Sequence, residues 1–309
     1  MRPFRFGLSV RDAASRAAWQ DRARQAEALG FSTLVVPDHL VEALPPLVPL
    51  VSAADATERL RVGTFVLNND FRHPVLVARE AAAVDLLSDG RLELGLGAGH
   101  MASEYREAGL RFDPAPTRVQ RLGEAVRIVR ELLAGEAVTF HGRHYQVEGH
   151  RVHPRPVQRP TPPILIGGNG RRLLSLAARE ADIVGLVGFS HRAGGTDFDF
   201  DGFTERGTAE RIALVREAAG ERFEQIELNG LLQRVVVTDR PRAAAEEVSA
   251  EIGISVEDAL SSPYLLLGTA DSMVDTLRER RERLGISYWV TFERALDAMA
   301  PVVARLHGS

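Results

Sequence analysis

The sequence contains no cysteine and no lysine, and all 38 of its basic residues are arginine. Without cysteine there is no disulfide framework, no thiolate nucleophile and no cysteine-built metal site. Without lysine the chain offers no Schiff base and no ammonium clamp for a phosphate. A dominant charge is missing too, because 42 acidic side chains are interspersed with the arginines for a formal net charge of -4. No basic block or aromatic-basic alternation appears, which excludes a nucleic-acid surface and favours a small-molecule partner. No apolar run reaches the roughly 20 residues that span a bilayer, so no membrane partner is expected. The opening run from Met1 to Phe6 enters strand-like sequence with no apolar leader core, and the expected location is the cytoplasm.

What the chain has in quantity is alternation. Runs with strand character at Phe4 to Val10, Thr33 to Pro37, Arg61 to Leu67, Arg91 to Leu96, Ile164 to Gly167, Ile183 to Val187, Leu228 to Thr238 and Ile286 to Phe292 are separated by helical periods. The helices expected are Ala14 to Leu29, Leu47 to Thr57, Pro74 to Leu87, Arg118 to Ala134, Arg171 to Glu180, Glu205 to Ala219, Pro241 to Ile252 and Ala270 to Leu284, with a last one from Ala295 to Leu306. In the fourth, Val119, Leu122, Val126, Val129 and Leu133 recur at steps of three or four, so one face packs on a sheet. Pro74 and Pro241 suit a first helical position, and Gly30 and Gly285 suit helix stops. Eight such units without a Pro-, Gly- or Ser-rich linker predict an α/β fold, a single (β/α)8 TIM barrel over residues 1–309. Two stretches are too long for ordinary loops, Gly135 to Pro163 and Phe189 to Phe203, and are expected to cover a barrel end as insertions at the C-terminal mouth. Within the second, Asp197 to Phe203 alternates acid and aromatic, either as a short hairpin or lid or as a solvated loop.

Barrel enzymes carry their reacting groups just after the strands. The polar residues in those places are Asp38 and His39, then Asn68, Asn69 and Asp70, then the run Gly97-Ala98-Gly99-His100, and finally Gly167-Gly168-Asn169-Gly170 ahead of a helix at Arg171. Glycines at a helix N-terminus leave amide protons open to an anion, so the last of these is either a phosphate site or a plain tight turn. The Gly97-Ala98-Gly99 run opens no helix and is weak as a dinucleotide signal. No metal is expected, because no helix carries two histidines at i and i+4 and His141, His144, His150 and His153 are loosely spaced beside prolines. A Gly-x-Ser-x-Gly elbow is absent, which removes serine hydrolase chemistry.

These pieces, in order, resemble the luciferase-like superfamily and its actinobacterial F420-dependent oxidoreductase branch. The residues that carry the resemblance are Ala26-Glu27-Ala28-Leu29-Gly30-Phe31, Pro37-Asp38-His39, Arg61-Val62-Gly63-Thr64, Ser88 to Gly99, His153-Pro154-Arg155-Pro156-Val157-Gln158, Pro163 to Gly168 and Ala181-Asp182. The resemblance implies a deazaflavin, coenzyme F420, or alternatively FMN, lying across the C-terminal mouth. It implies a bulge with a nonproline cis peptide, Phe65-Val66, at the end of the third strand behind the ring, Asp38 and His39 bordering it, and Gly167, Gly168 and Asn169 holding the cofactor phosphate. Asn68, Ala98, Gly99 and Gly170 complete the expected cofactor contacts. Three features depart from the sugar-phosphate dehydrogenases of that branch. His100 stands where they have glutamate, and the tryptophan after the Asp-His pair and the phosphate-gripping lysines are absent.

The function expected is therefore hydride exchange between the deazaflavin C5 and a small organic substrate such as an enone, imine or ketone. The rival readings are an FMN-dependent monooxygenase and a noncatalytic flavin-binding barrel, and a homodimer is left open. Reduction of a double bond needs a proton, and an imidazole, ordinarily titrating near ~6.5, suits that work at neutral pH. His100 is the expected proton donor, with His39 as the second candidate.

Overall fold

The computed structural model describes residues 1–191 and 198–309. Its centre is a closed ring of parallel strands, β1 (Arg5–Ser9), β2 (Thr33–Val36), β3 (Arg61–Thr64), β4 (Leu92–Gly97), β5 (Ile164–Gly168), β6 (Ile183–Leu186), β7 (Glu227–Leu232) and β8 (Ile286–Phe292). Around the ring they run β3-β2-β1-β8-β7-β6-β5-β4, and pairing of Val62 with Leu92 and Gly63 with Glu93 closes it. The expected (β/α)8 barrel is the observed fold. Strand side chains alternate between two apolar layers. Val35, Leu165, Ile183, Leu231, Tyr288 and Val290 fill the barrel, while neighbours such as Leu34 and Val36 pack outward under the helices. Both faces are buried, which is why the strands read as nearly continuous apolar runs.

The helices follow their local signals. In Ala115–Ala134 the residues Leu122, Val126, Val129 and Leu133 are buried, and the helix stops at Gly135 in the left-handed conformation, φ 93°. Pro74 and Pro241 occupy the first helical position. The lower end of the barrel is closed by charge. Arg5 on β1 reaches Glu93 at 2.6 Å and Glu227 at 2.7 Å, and Arg61 on β3 reaches Glu93 at 2.7 Å.

Three features beyond the plain alternation matter for the site, the first of them the bulge that the family resemblance implies. The third strand breaks after Thr64 and resumes as Leu67–Asn68. The register advances from Gly63 opposite Glu93 to Leu67 opposite Leu96, four residues against three, so β3 carries a bulge. Inside it the Thr64 hydroxyl donates to the Gly95 carbonyl at 2.8 Å and accepts from the Gly95 amide at 2.9 Å, replacing a rung of the ladder. The seventh strand ends at Leu232, and Arg234–Val237 instead pairs with Leu265–Gly268, an apolar run too short to announce itself as a strand.

The long stretch after the fourth major helix is also placed differently from expectation. Because it follows a helix and precedes β5, it begins and ends at the N-terminal face, where Gln158 meets Arg61 and the Leu92 carbonyl. Its Val138–His141 and Gln146–His150 form a hairpin that climbs the outside of the barrel until the Tyr145 hydroxyl accepts from Asn69 at 3.2 Å. In the second long stretch Ser190–His191 pairs antiparallel with Phe198–Asp199, a short hairpin pairing. Asp197, part of the expected alternation, lies outside the described residues.

Candidate active site

The exits of β2, β3, β4 and β5 meet at one side of the C-terminal mouth. Asp38, 5% exposed, accepts from the Asn68 amide at 3.0 Å and from Arg72 at 2.5 and 3.3 Å. Its carboxylate is thus consumed in bracing β2 against the bulge of β3, a role the sequence did not suggest. His39, the next residue, is half-buried and stands edge-on to His100, with ring centroids 5.5 Å apart and planes at 87°. The two imidazoles expected to handle protons therefore touch, although His100 is exposed and lies beyond the end of β4.

The bulge carries the floor. The Phe65-Val66 peptide bond is cis, as the family resemblance implies. Phe65 and Val66 pack half-buried on the apolar layer inside the barrel, together with Val187 and Phe292. Glycines make room for this. A β-carbon at Gly97 would lie 2.5 Å from Val66 Cγ2, and one at Gly95 would lie 2.1 Å from the Thr64 carbonyl oxygen. Ala98 is buried, and Arg118, itself buried, donates to the Ala98 carbonyl at 3.1 Å and to the Gly99 carbonyl at 3.3 Å. That guanidinium, lying 3.9 Å over the Phe112 ring, fixes the segment from which His100 projects. Burial holds the Arg118 pKa below the ordinary arginine value.

Below the loop, Tyr105 is fully buried, with its hydroxyl 2.9 Å from Asn68 Oδ1 and 3.0 Å from Asp70 Oδ2. Burial raises the Asp70 carboxyl above its usual range, outweighing the pull of Arg121 and of the Tyr105 hydroxyl. The Tyr105 phenol is raised as well, by burial and then by the Asp70 charge. Glu104, one residue earlier, is buried against His39 Nδ1 at 2.9 Å. The sequence reading missed Glu104, Tyr105, Arg72 and Arg118. Glu104 and Tyr105 lie in the short helix Ala102–Glu107 after the fourth strand and Arg118 in the first turn of the fourth major helix, where only the strand-end residues had drawn attention.

At the β5 exit the glycine turn leads into the helix Arg171–Glu180, whose N-cap, Gly170, offers no side-chain cap. The first amides of that helix lack intrahelical acceptors. Asn169 is 7% exposed, and neither its Nδ2 nor its Oδ1 has a hydrogen-bond partner among the described residues. The buried Arg211 Nε is likewise unpartnered, and the point where a Gly202 β-carbon would sit lies 2.5 Å from Asn169 Nδ2 and 2.7 Å from Arg211 Nε. Orphaned donors beside open helix amides are the chemistry of an anion site, so these residues fit a cofactor phosphate. The turn has no space for a side chain at Gly168, where a β-carbon would meet Leu173 Cδ2 at 2.1 Å. Gly168→Val is therefore expected to weaken binding of a phosphate-bearing cofactor while the barrel still folds. Cofactor titration and circular dichroism check this, and unchanged affinity in a folded variant would leave the turn as a turn.

A cleft of about 740 Å³ between the helices Ala115–Ala134 and Arg171–Glu180, lined by Arg127, Arg171, Arg172 and Arg179, lies in the outer helical layer. Among the described residues no group of three or more His, Asp or Glu is arranged to hold a metal ion, and no helix is long and apolar enough to cross a membrane.

The fold is thus a closed parallel barrel with a bulged third strand, a cis peptide at its mouth and, after β5, a helix-opening glycine turn whose residues fit a phosphate. Residues 2–285 match the model of the luciferase-like monooxygenase family, and the chain belongs to that family. A protein of Nakamurella multipartita named F420-dependent glucose-6-phosphate dehydrogenase is 31% identical over 282 residues, covering 85% of this chain and 79% of its own. One of the same name from Microbacterium testaceum is 39% identical over 165 residues, 51% of this chain, a match that spans about half of that relative, 48%. In fold, the coenzyme F420 dependent tetrahydromethanopterin reductase of Methanopyrus kandleri superposes with a TM-score of 0.79 over 99% of this chain and 100% of its own, at 17% identity.

Proposed function

We propose that the protein is an oxidoreductase that binds coenzyme F420 across the C-terminal mouth and exchanges hydride with a small organic substrate. The observation that carries this reading is the pair of touching imidazoles, His39 and His100, at the mouth whose other exits supply an apolar floor and an anion turn. The names of the relatives support F420 over FMN.

When bound, the deazaflavin supplies the two-electron chemistry at its C5. The protein's residues do the rest. Phe65 and Val66 back a flat ring, Gly167, Gly168, Asn169 and Gly170 receive its phosphate, and Asn68, Ala98 and Gly99 form the walls held by Tyr105 and Arg118. Asp38 keeps the β2 and β3 exits together. His39 and His100 hold or move the proton that must accompany hydride. The absence of lysine and the histidine at position 100 weigh against a sugar phosphate as substrate, and a ketone, enone or imine is the class proposed.

Titration of the apoprotein with F420 and with FMN is expected to show tighter binding of F420. Equal or tighter FMN binding would reverse the cofactor assignment and favour a monooxygenase, which consumes oxygen with its reduced cofactor. Tight F420 binding without turnover across a carbonyl and imine panel would favour a noncatalytic carrier.

A further inference from the structure

We propose that Glu104 is a positioning residue that holds His39 in the tautomer protonated on Nδ1, making Nε2 the atom that exchanges a proton with substrate. The inference deepens the redox reading above and rests on it. Glu104 lies in the helix Ala102–Glu107, and its side chain is 3% exposed. A carboxylate so buried persists only when it is paired. Its Oε1 accepts from the Leu40 amide at 3.2 Å and lies 2.9 Å from His39 Nδ1. The amide has only a hydrogen to offer, so it fixes that oxygen as an acceptor, and Nδ1 must bring the second hydrogen.

A neutral imidazole has one N–H, so a proton on Nδ1 leaves a lone pair on Nε2. His39 keeps 25% of its side chain exposed. Among the described residues, two other titratable groups stand near the ring. His100 stands edge-on from the β4 exit, and the neighbouring Asp38 carboxylate is engaged by Arg72 and the Asn68 amide. Glu104 is thus the carboxylate that sets the tautomer, as a buried acid orients the base in other imidazole-dependent enzymes. The proton that balances hydride transfer then passes at Nε2. An alcohol O–H gives it to Nε2 as the C=O forms, and in the reverse direction the imidazolium returns it to the oxygen as the C–O–H forms.

The test uses two substitutions and a readout that needs no cofactor. In protein labelled with 15N histidine, a two-bond 1H–15N spectrum recorded where imidazoles are neutral reports each tautomer, and the His39 signals are identified by their loss in His39→Asn. The wild type is expected to show His39 protonated on Nδ1. Glu104→Gln, whose amide oxygen can accept from both donors, should keep that tautomer, and Glu104→Leu should move it to Nε2. With F420 and a ketone substrate, kcat should fall about 10²- to 10⁴-fold in Glu104→Leu with KM little changed, and stay within about tenfold in Glu104→Gln. An Nε2-protonated wild type, a tautomer indifferent to Glu104→Leu, or full turnover in Glu104→Leu would each overturn the proposal. Failure of the redox reading looks different, since the wild type would then show the Nδ1 tautomer but no turnover, and the tautomer would lose its assignment to redox work.

Discussion

His39→Asn is expected to lower turnover by about 10²- to 10⁴-fold while changing cofactor affinity little, because the amide can still donate to Glu104 but cannot carry a proton. The native contact it imitates is the 2.9 Å approach of Nδ1 to Glu104 Oε1, so the buried carboxylate is not left without a donor. His100→Phe is expected to cost at least about tenfold, since a ring in edge contact with His39 is either the second member of a proton path or its packing partner. Comparing the two separates these roles. If His100 itself gives the proton, its variant loses the limb of the pH-rate profile near neutrality and falls as far as His39→Asn. If it only packs, the limb survives in His100→Phe. Wild-type turnover in both variants would remove imidazole from the mechanism altogether.

The largest effect on stability is expected at the opposite end of the barrel. Glu93→Ala should lower the free energy of unfolding by about 3–5 kcal/mol, the cost of removing one partner from a buried ion pair. The Glu93 side chain is 4% exposed, and its Oε1 accepts from both Arg5 and Arg61. Arg5 would keep Glu227, but Arg61 would retain only the Leu92 carbonyl and Gln158. Burial by itself raises the Glu93 carboxyl, yet the charges and hydrogen bonds of Arg5 and Arg61 more than offset it, and its pKa in the folded protein lies below the ordinary value. The sign follows. This stabilisation is fully present above the ordinary carboxylate range and is lost as the pH falls through the depressed value. Urea unfolding should show a lower midpoint at unchanged slope for Glu93→Ala, and a flatter acid limb of stability for Glu93→Gln. An unaltered midpoint at neutral pH would mean that Arg5 and Glu227 close the barrel end without it.

The barrel was legible in the sequence because its determinants are local. Short, nearly continuous apolar runs, the 3.6-residue stripe of Leu122, Val126, Val129 and Leu133, and the stops at Gly30 and Gly285 act within a few residues of chain, and all hold in the fold. Where a strand meets a second, non-local requirement, the local pattern is silent, and the bulge of β3 was expected only through the family resemblance. The break of β3 after Thr64 depends on how close β4 comes at Gly95, and the fate of Arg234–Val237 depends on Leu265–Gly268 some thirty residues on. Pattern along one segment does not record its partner.

For the site, the sequence by itself placed His39, His100, Asn169 and the glycine turn, because a barrel brings every strand exit to one mouth whatever the side chains are. Only the tertiary structure decided what each does there. It joined His39 to Glu104, 65 positions later, and to the ring of His100. It spent the Asp38 carboxylate on Arg72 and Asn68, and it set Arg211 from a different helix beside Asn169. The physical reason is the range of the forces. Propensity and periodicity act between neighbours in the chain, whereas a hydrogen bond or an ion pair acts between neighbours in space, and those are fixed only once the barrel has closed.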